Sequence, residues 1–213
     1  MLKIFMRFVI ISLLLLSHGN FTLAASTTAL PPAKGGTLPV INLQVPKDPD
    51  ERIYLGLSGS GFFKIPQIKA QAVVIKIFNL YCPVCQSTAA AMTDLYHQIE
   101  KNPNFKNKIK LIGIGAGNSP LEVEVFKETN KVPFPIFPHE DFRIHKALGE
   151  VRTPFFIAIK KETDGSHEIV HTHLGGLTNA KALLDLMVEA YGIKQEDLLT
   201  KEAAASPVES FPK

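Results

Sequence analysis

From residue 38 onward, dense apolar runs alternate with stretches in which apolar residues recur every three or four positions. QAVVIKIFNLY, residues 71–81, is a nearly unbroken apolar run rich in Val and Ile. That is the pattern of a strand buried on both faces of a parallel sheet. KIKLIGIGAG, 108–117, is a second such run, closed by glycines. Between them, CQSTAAAMTDLYHQIEKN, 85–102, sets Ala89, Met92, Leu95, Tyr96 and Ile99 at helical spacing. SPLEVEVFKETNKV, 119–132, predicts another helix, with Ser119 as its cap and Pro120 at its first position. FPIF, 134–137, reads as a short strand, and DFRIHKALG, 141–149, as a short helix closed by Gly149. PFFIAIKK, 154–161, and HEIVHTHLGG, 167–176, form a hairpin that turns at Thr163-Asp164-Gly165-Ser166. TNAKALLDLMVEAYG, 178–192, is a capped amphipathic helix, and Leu38 to Val45 an edge strand.

The resulting order, β-α-β-α-β-α-β-β-α, predicts an α/β domain over residues 38–194 whose sheet ends in an antiparallel hairpin. No internal repeat is present. The pattern is different at both ends. Residues 1–24, read as one unit, carry Lys3 and Arg7, then an apolar core from Phe8 to Leu16, and end at Ala24 in a run of small residues that continues through Ala25 and Ser26. That is the order of a secretory signal peptide. The core is shorter than the about 20 residues that span a bilayer; an uncleaved membrane anchor is the alternative. Residues 25–37 are Pro/Gly/Thr-rich and read as a linker, and 195–213 as a flexible tail.

Charge adds little. Removing residues 1–24 takes away two basic residues and no acidic one, leaving 21 against 20 and a net charge of +1. A near-neutral chain without basic runs gives no reason to expect nucleic acid as a partner. Cysteine count adds more. The 213 residues contain only Cys82 and Cys85. Two cysteines are too few for a disulfide-stapled scaffold or a four-ligand zinc site.

YCPVC, 81–85, falls where the strand of 71–81 gives way to the helix of 85–102, at the sheet edge where open α/β folds place their sites. Cys82 at a helix N-terminus faces free backbone N–H groups and the positive end of the helix dipole. Both favour thiolate, the attacking species in disulfide exchange. Cys85 follows one turn on, more buried and with a higher pKa. Pro83 supplies a helix-compatible φ in the first turn. Cys82 is then the exchanging cysteine and Cys85 the one that resolves the mixed disulfide. An inert staple is the alternative, but so small a loop yields little chain-entropy stabilisation.

This stretch resembles the active site of the thioredoxin superfamily. EVRTPFFIAI, 150–159, extends the likeness, because members carry a cis-proline entering the strand that faces the CxxC loop; Thr153-Pro154 matches it. The resemblance covers about residues 38–192. It implies a thioredoxin-like mixed sheet flanked by helices. The added αβ unit near 108–132 and the N-terminal extension resemble the exported TlpA/ResA-like, redoxin-like branch. It further implies substrate contacts at Tyr81, Pro83, Thr153 and Pro154, with Thr153 pairing to an extended peptide. The redox-active Cys82–Cys85 disulfide replaces any bound cofactor. Partners are then substrate protein thiols or disulfides, apocytochrome c being one family-level candidate, and a membrane thiol–disulfide electron donor or acceptor. A periplasmic or secreted monomer acting as a reductase is expected.

The chain also departs from the family. Tyr81 stands where Trp is common before the first cysteine. Lys76 stands six residues before Cys82, where members often place a buried acid. Lys76 either lies beside the pair, favouring thiolate and making the disulfide more oxidising, or snorkels away from the sulfurs. Peroxiredoxins share the wider fold, but their P-x-x-x-T/S-x-x-C pattern fails here, with Ile75 and Asn79 at the required positions. A copper metallochaperone using Cys82, Cys85 and His173 is the alternative function, although copper-delivery relatives carry CxxxC rather than CxxC.

Overall fold

The computed structural model describes residues 29–177 and 179–191. The expected signal peptide and C-terminal tail lie outside these residues. In chain order the elements are β1 (Asn42–Gln44), α1 (Pro49–Leu55), β2 (Phe62–Lys64), β3 (Ala72–Phe78), α2 (Pro83–Ser87), α3 (Ala89–Lys101) and β4 (Ile109–Ala116). They continue with α4 (Pro120–Asn130), β5 (Ile136–His139), α5 (Arg143–Ala147), β6 (Phe155–Lys161), β7 (His167–Leu174) and α6 (Ala180–Ala190).

Five strands build the central sheet in the order β5-β4-β3-β6-β7. β3, β4 and β5 run parallel, while β6 and β7 are antiparallel to their neighbours. Every residue of β3 and β4 is buried, as their unbroken apolar runs require. Alternation along β3 divides the core into two layers. Val73, Ile75 and Ile77 pack with Leu55 of α1, Phe63 of β2 and Ile144 of α5. Val74 and Phe78 face the opposite layer, with Met92 and Leu95 of α3, Phe126 of α4 and Met187 of α6. The Phe78 and Phe126 rings lie 4.4 Å apart between centroids. The mixed sheet, its hairpin and its αβ insertion are therefore those expected.

Leu38–Val45, expected as an edge strand, lies outside the main sheet. Its β1 core joins β2 in a separate two-stranded sheet, with Leu43 opposite Phe63. The apolar face of this small sheet, together with α1, covers the layer that α3, α4 and α6 leave open. β1 is therefore a lid strand rather than an edge of the main sheet.

The residues before β1 also contact the domain. Gly35 N–H donates to the Ile169 carbonyl and Ile169 N–H to the Gly36 carbonyl, both at 2.8 Å. Leu38 N–H donates to Nε2 of His167 at 3.0 Å. Further back, residues 29–31 pass over Gly149, whose φ is +73° and where a Cβ would lie 2.6 Å from the Ala29 oxygen. Only glycine fits so close a crossing with that backbone.

The helix expected over 85–102 is two helices. The carbonyl of Cys85 accepts both the Thr88 hydroxyl and the Lys76 ammonium at 3.0 Å. The chain breaks at Thr88, with ψ of −3°, before α3 begins. α4 starts as expected, with a full capping box. Ser119 Oγ accepts Glu122 N–H while Glu122 Oε2 accepts Ser119 N–H. Ser119→Ala should cost about 1 kcal/mol of unfolding free energy in urea.

Candidate active site

The cysteine pair lies at the carboxyl end of β3, as the sequence predicts. Cys82 is the N-cap residue of α2. Its Sγ accepts the Cys85 backbone N–H at 3.4 Å, and its thiol donates to the Thr153 carbonyl at 3.4 Å. Cys82 is partly exposed and Cys85 fully buried, and both are free thiols. Burial opposes ionisation of Cys82, but hydrogen bonds from the side chains of Cys85 and Thr153 and from the N–H groups of Cys85 and Val84 outweigh it. The net pKa is below the ordinary thiol value. Cys85 moves the other way. Burial first, then its hydrogen bond to Cys82, push it up to about 11. One thiol is thus poised to ionise and the other to keep its proton.

Thr153 and Pro154 reach this site from the loop before β6, and the peptide bond between them is cis. β6 pairs with β3, setting Phe155 opposite Ile77. That register brings the loop to the end of β3 from which the cysteines emerge. Pro83 occupies the first turn of α2. Tyr81 is exposed, and its hydroxyl donates to Glu122 Oε1 at 2.5 Å. That bond, followed by those from Ser119, holds the Glu122 carboxyl down at about 2.

Lys76 is 2 % exposed and does not snorkel to solvent. It shares the face of β3 that carries Val74 and Phe78, so its ammonium ends beneath α2 on the Cys85 carbonyl. Burial lowers it to about 8, opposed by attraction to Cys85 and Cys82. Of the two placements open from sequence, the structure shows the one beside the pair.

His173 is not gathered into this site. Its Nε2 lies 3.0 Å from the Gly176 carbonyl and its ring stacks on His171. Among the described residues no group of three or more His, Cys, Asp or Glu side chains is arranged to hold a metal ion.

Four side chains given no role in the site by the sequence reading hold the approach to Cys82. Asn79 Oδ1 accepts Tyr81 N–H at 2.8 Å, and its Nδ2 donates to the Ala116 carbonyl at 2.7 Å. Asn118 Oδ1 accepts Leu80 N–H at 3.0 Å. Gln86 Nε2 donates to the Leu80 carbonyl at 2.8 Å. Glu122 anchors Tyr81. The Ser-Pro-x-Glu capping box and the Asn after an apolar strand are visible signals for Glu122 and Asn79. Asn118 and Gln86 carry none.

The sequence profile of the AhpC/TSA family matches residues 57–174, more than half of the chain. The chain belongs to the AhpC/TSA family. Within this family its fold is that of the thioredoxin superfamily, shown by solved structures. A thiol:disulfide interchange protein from a Bacteroides species superposes with a TM-score of 0.56 at 13% identity, covering 80% of this chain and 97% of that one. A Chlorobium tepidum protein assigned as thiol:disulfide interchange protein DsbE gives 0.55 at 14% identity, covering 76% and 99%. The thioredoxin domain of a Bacteroides vulgatus thiol-disulfide oxidoreductase gives 0.53 at 13%, covering 72% and 96%. No curated protein matches the sequence. The matched residues include the two cysteines at the start of α2 and the cis-proline loop across from them. Among the described residues, no helix is long and apolar enough to cross a membrane.

Proposed function

We propose that this protein is an exported thiol–disulfide oxidoreductase that exchanges a Cys82–Cys85 disulfide with protein thiols. The carrying observation is the asymmetry of the pair: a partly exposed Cys82 sulfur that accepts an N–H at a helix start, beside a fully buried Cys85 whose proton is retained. In the reducing direction, Cys82 thiolate attacks a substrate disulfide. One substrate sulfur leaves as thiolate and a mixed disulfide forms. Cys85, losing its proton, then attacks Cys82 and releases the second substrate thiol.

The substrate surface follows from the same geometry. Ionisation of Cys82 removes the proton that it donates to Thr153. The Thr153 carbonyl is then free to accept an N–H from an extended substrate segment. Tyr81, Val84 and Leu174 are exposed apolar groups on the segments bordering Cys82. They suit the side chains of an unfolded or extended polypeptide better than a small polar substrate.

Direction depends on the reduction potential. The ammonium of Lys76 stabilises the reduced pair and moves the protein towards a disulfide donor. Stabilising the thiolate by one pKa unit is about 1.4 kcal/mol, or about 30 mV for a two-electron couple. Thioredoxin and DsbA differ by about 150 mV. Lys76 alone therefore does not reverse the reductase direction that the arrangement of elements suggests. The test is equilibration with glutathione buffers, followed by alkylation of free thiols. A potential at or below about −270 mV is expected. A value near about −120 mV would make the protein a disulfide donor, and failure to form the disulfide at all would remove the redox reading.

A further inference from the structure

Two lysines are buried among the described residues, and they are compensated differently. Lys110 lies 3.3 Å from Glu100. Lys76 has no carboxylate within ion-pair distance among the described residues. Its Nζ meets the Cys85 carbonyl at 3.0 Å and lies 5.8 and 5.6 Å from the ring centroids of Phe78 and Phe126. Across the sheet its register partners are Gly113 and Phe156. Ala89 and Met92 line this layer from α3, and Val123 and Phe126 from α4. None of these residues titrates. His173 of β7 lies beyond the Phe156 ring, 6.1 Å from it, and Glu122 of α4 is occupied by Tyr81. The titratable groups that act on the Lys76 amine are Cys82 and Cys85.

A buried ammonium without a counter-charge is costly. In the dithiol form Cys82 supplies that counter-charge as thiolate, and the site is neutral: thiolate, thiol, ammonium. Formation of the disulfide removes the thiolate. An ammonium left behind would then be an uncompensated charge in an apolar layer. A neutral amine beside a disulfide restores zero net charge.

We propose that Lys76 is a proton carrier of the redox pair, holding a proton as ammonium while Cys82 and Cys85 are reduced and releasing it when their disulfide forms. The inference rests on the exchange reaction proposed above. A dithiol partner reduces the disulfide by two electrons. The Cys82–Cys85 bond breaks, Cys85 sulfur takes one proton, Lys76 nitrogen takes another, and Cys82 remains thiolate. Oxidation by a partner disulfide returns both protons. Burial already lowers Lys76 to about 8 while the cysteines pull it up. Loss of the thiolate charge removes that upward pull, so the amine is less basic in the disulfide form.

The test uses the full chain labelled with ¹³C and ¹⁵N at the lysine side-chain termini, titrated by NMR in both redox states. The Lys76 amine is expected to bind its proton at least tenfold more tightly in the dithiol form. Between its two pKa values, the equilibrium constant for reduction at fixed electrode potential should fall about a hundredfold per pH unit, or about 59 mV at 29.6 mV per decade. In Lys76→Met, and in Lys76→Arg, which cannot release its proton, it should fall about tenfold. If the variants do not fold, the titration of the native chain decides alone. A disulfide that cycles normally while the Lys76 affinity stays constant overturns this inference and leaves the exchange reaction standing. A pair that never forms a disulfide in glutathione buffer overturns both.

Discussion

Cys82→Ser should slow thiol–disulfide exchange by more than about a thousandfold, because a hydroxyl neither ionises near neutral pH nor forms the mixed disulfide. Cys85→Ser should behave differently. Cys82 keeps its place at the α2 cap, still accepts the residue-85 backbone N–H, and still attacks. Only the resolving step is lost. Mixed disulfides with substrate proteins should therefore accumulate and be visible on a non-reducing gel. The side-chain hydrogen bond from Cys85 also helps to lower the Cys82 pKa, so Cys85→Ala, which has no donor, should raise the pH at which the first attack becomes fast. Equal loss of attack in both variants would contradict the division of roles. So would an attacking pKa that Cys85→Ala leaves unmoved.

Lys76→Met should make the reduced protein more stable, against the usual outcome of a core substitution. Burial holds the amine at about 8 rather than 10.5. The native state therefore binds the proton less tightly than the unfolded chain. For such a group, stability is lowest below pH 8 and rises as pH climbs from 8 to 10.5. A shift of about 2.5 units corresponds to about 3 kcal/mol. Loss of the hydrogen bond to the Cys85 carbonyl returns about 1 kcal/mol. Met fills a similar volume without charge. The variant should gain about 2 kcal/mol at pH 7 in urea, and the gain should shrink above pH 8. The raised Cys85 thiol pulls stability the other way between pH 9 and about 11, but it is present in both proteins. A less stable variant at pH 7 would mean that the ammonium is fully compensated in the native protein.

The central sheet was legible because β3 and β4 carry Val/Ile runs that only double burial accounts for. The hairpin was legible because its turn chemistry is local: Glu162 N–H donates to the Ser166 carbonyl and Gly165 N–H to the Glu162 carbonyl, closing the turn around the stretch named from sequence. α1 was not. It has clear punctuation, with Asp48 as cap, Pro49 at its start and Gly56 at its end, but of its seven residues only Leu55 is buried. Ile53 points to solvent, so no apolar stripe marks the helix. β1 was read as an edge strand, but β2, with which it pairs, was not read at all, because alternation identifies a half-buried strand and not its partner. The break at Thr88 was invisible for a related reason. It depends on a lysine twelve residues earlier, whose own burial depends on which layer β3 turns it towards. The cysteines, Pro83, Thr153 and Pro154 announced themselves by motif. The clasp formed by Asn79, Gln86, Asn118 and Glu122 is held by contacts between segments that spacing along the chain does not relate.

The pairing of Gly35 and Gly36 with Ile169 bears on how this protein stays apart from its own copies. β7 is the outer strand of the sheet, and an outer strand offers unpaired N–H and C=O groups to any extended chain. Here the chain covers part of that row with its own N-terminal approach. A version beginning at residue 39 would keep both cysteines, the cis-proline loop and the central sheet. It would also bare the Ile169 backbone and free His167 from Leu38. Such a chain should form strand-to-strand dimers and larger aggregates in proportion to its concentration, while each copy remained folded.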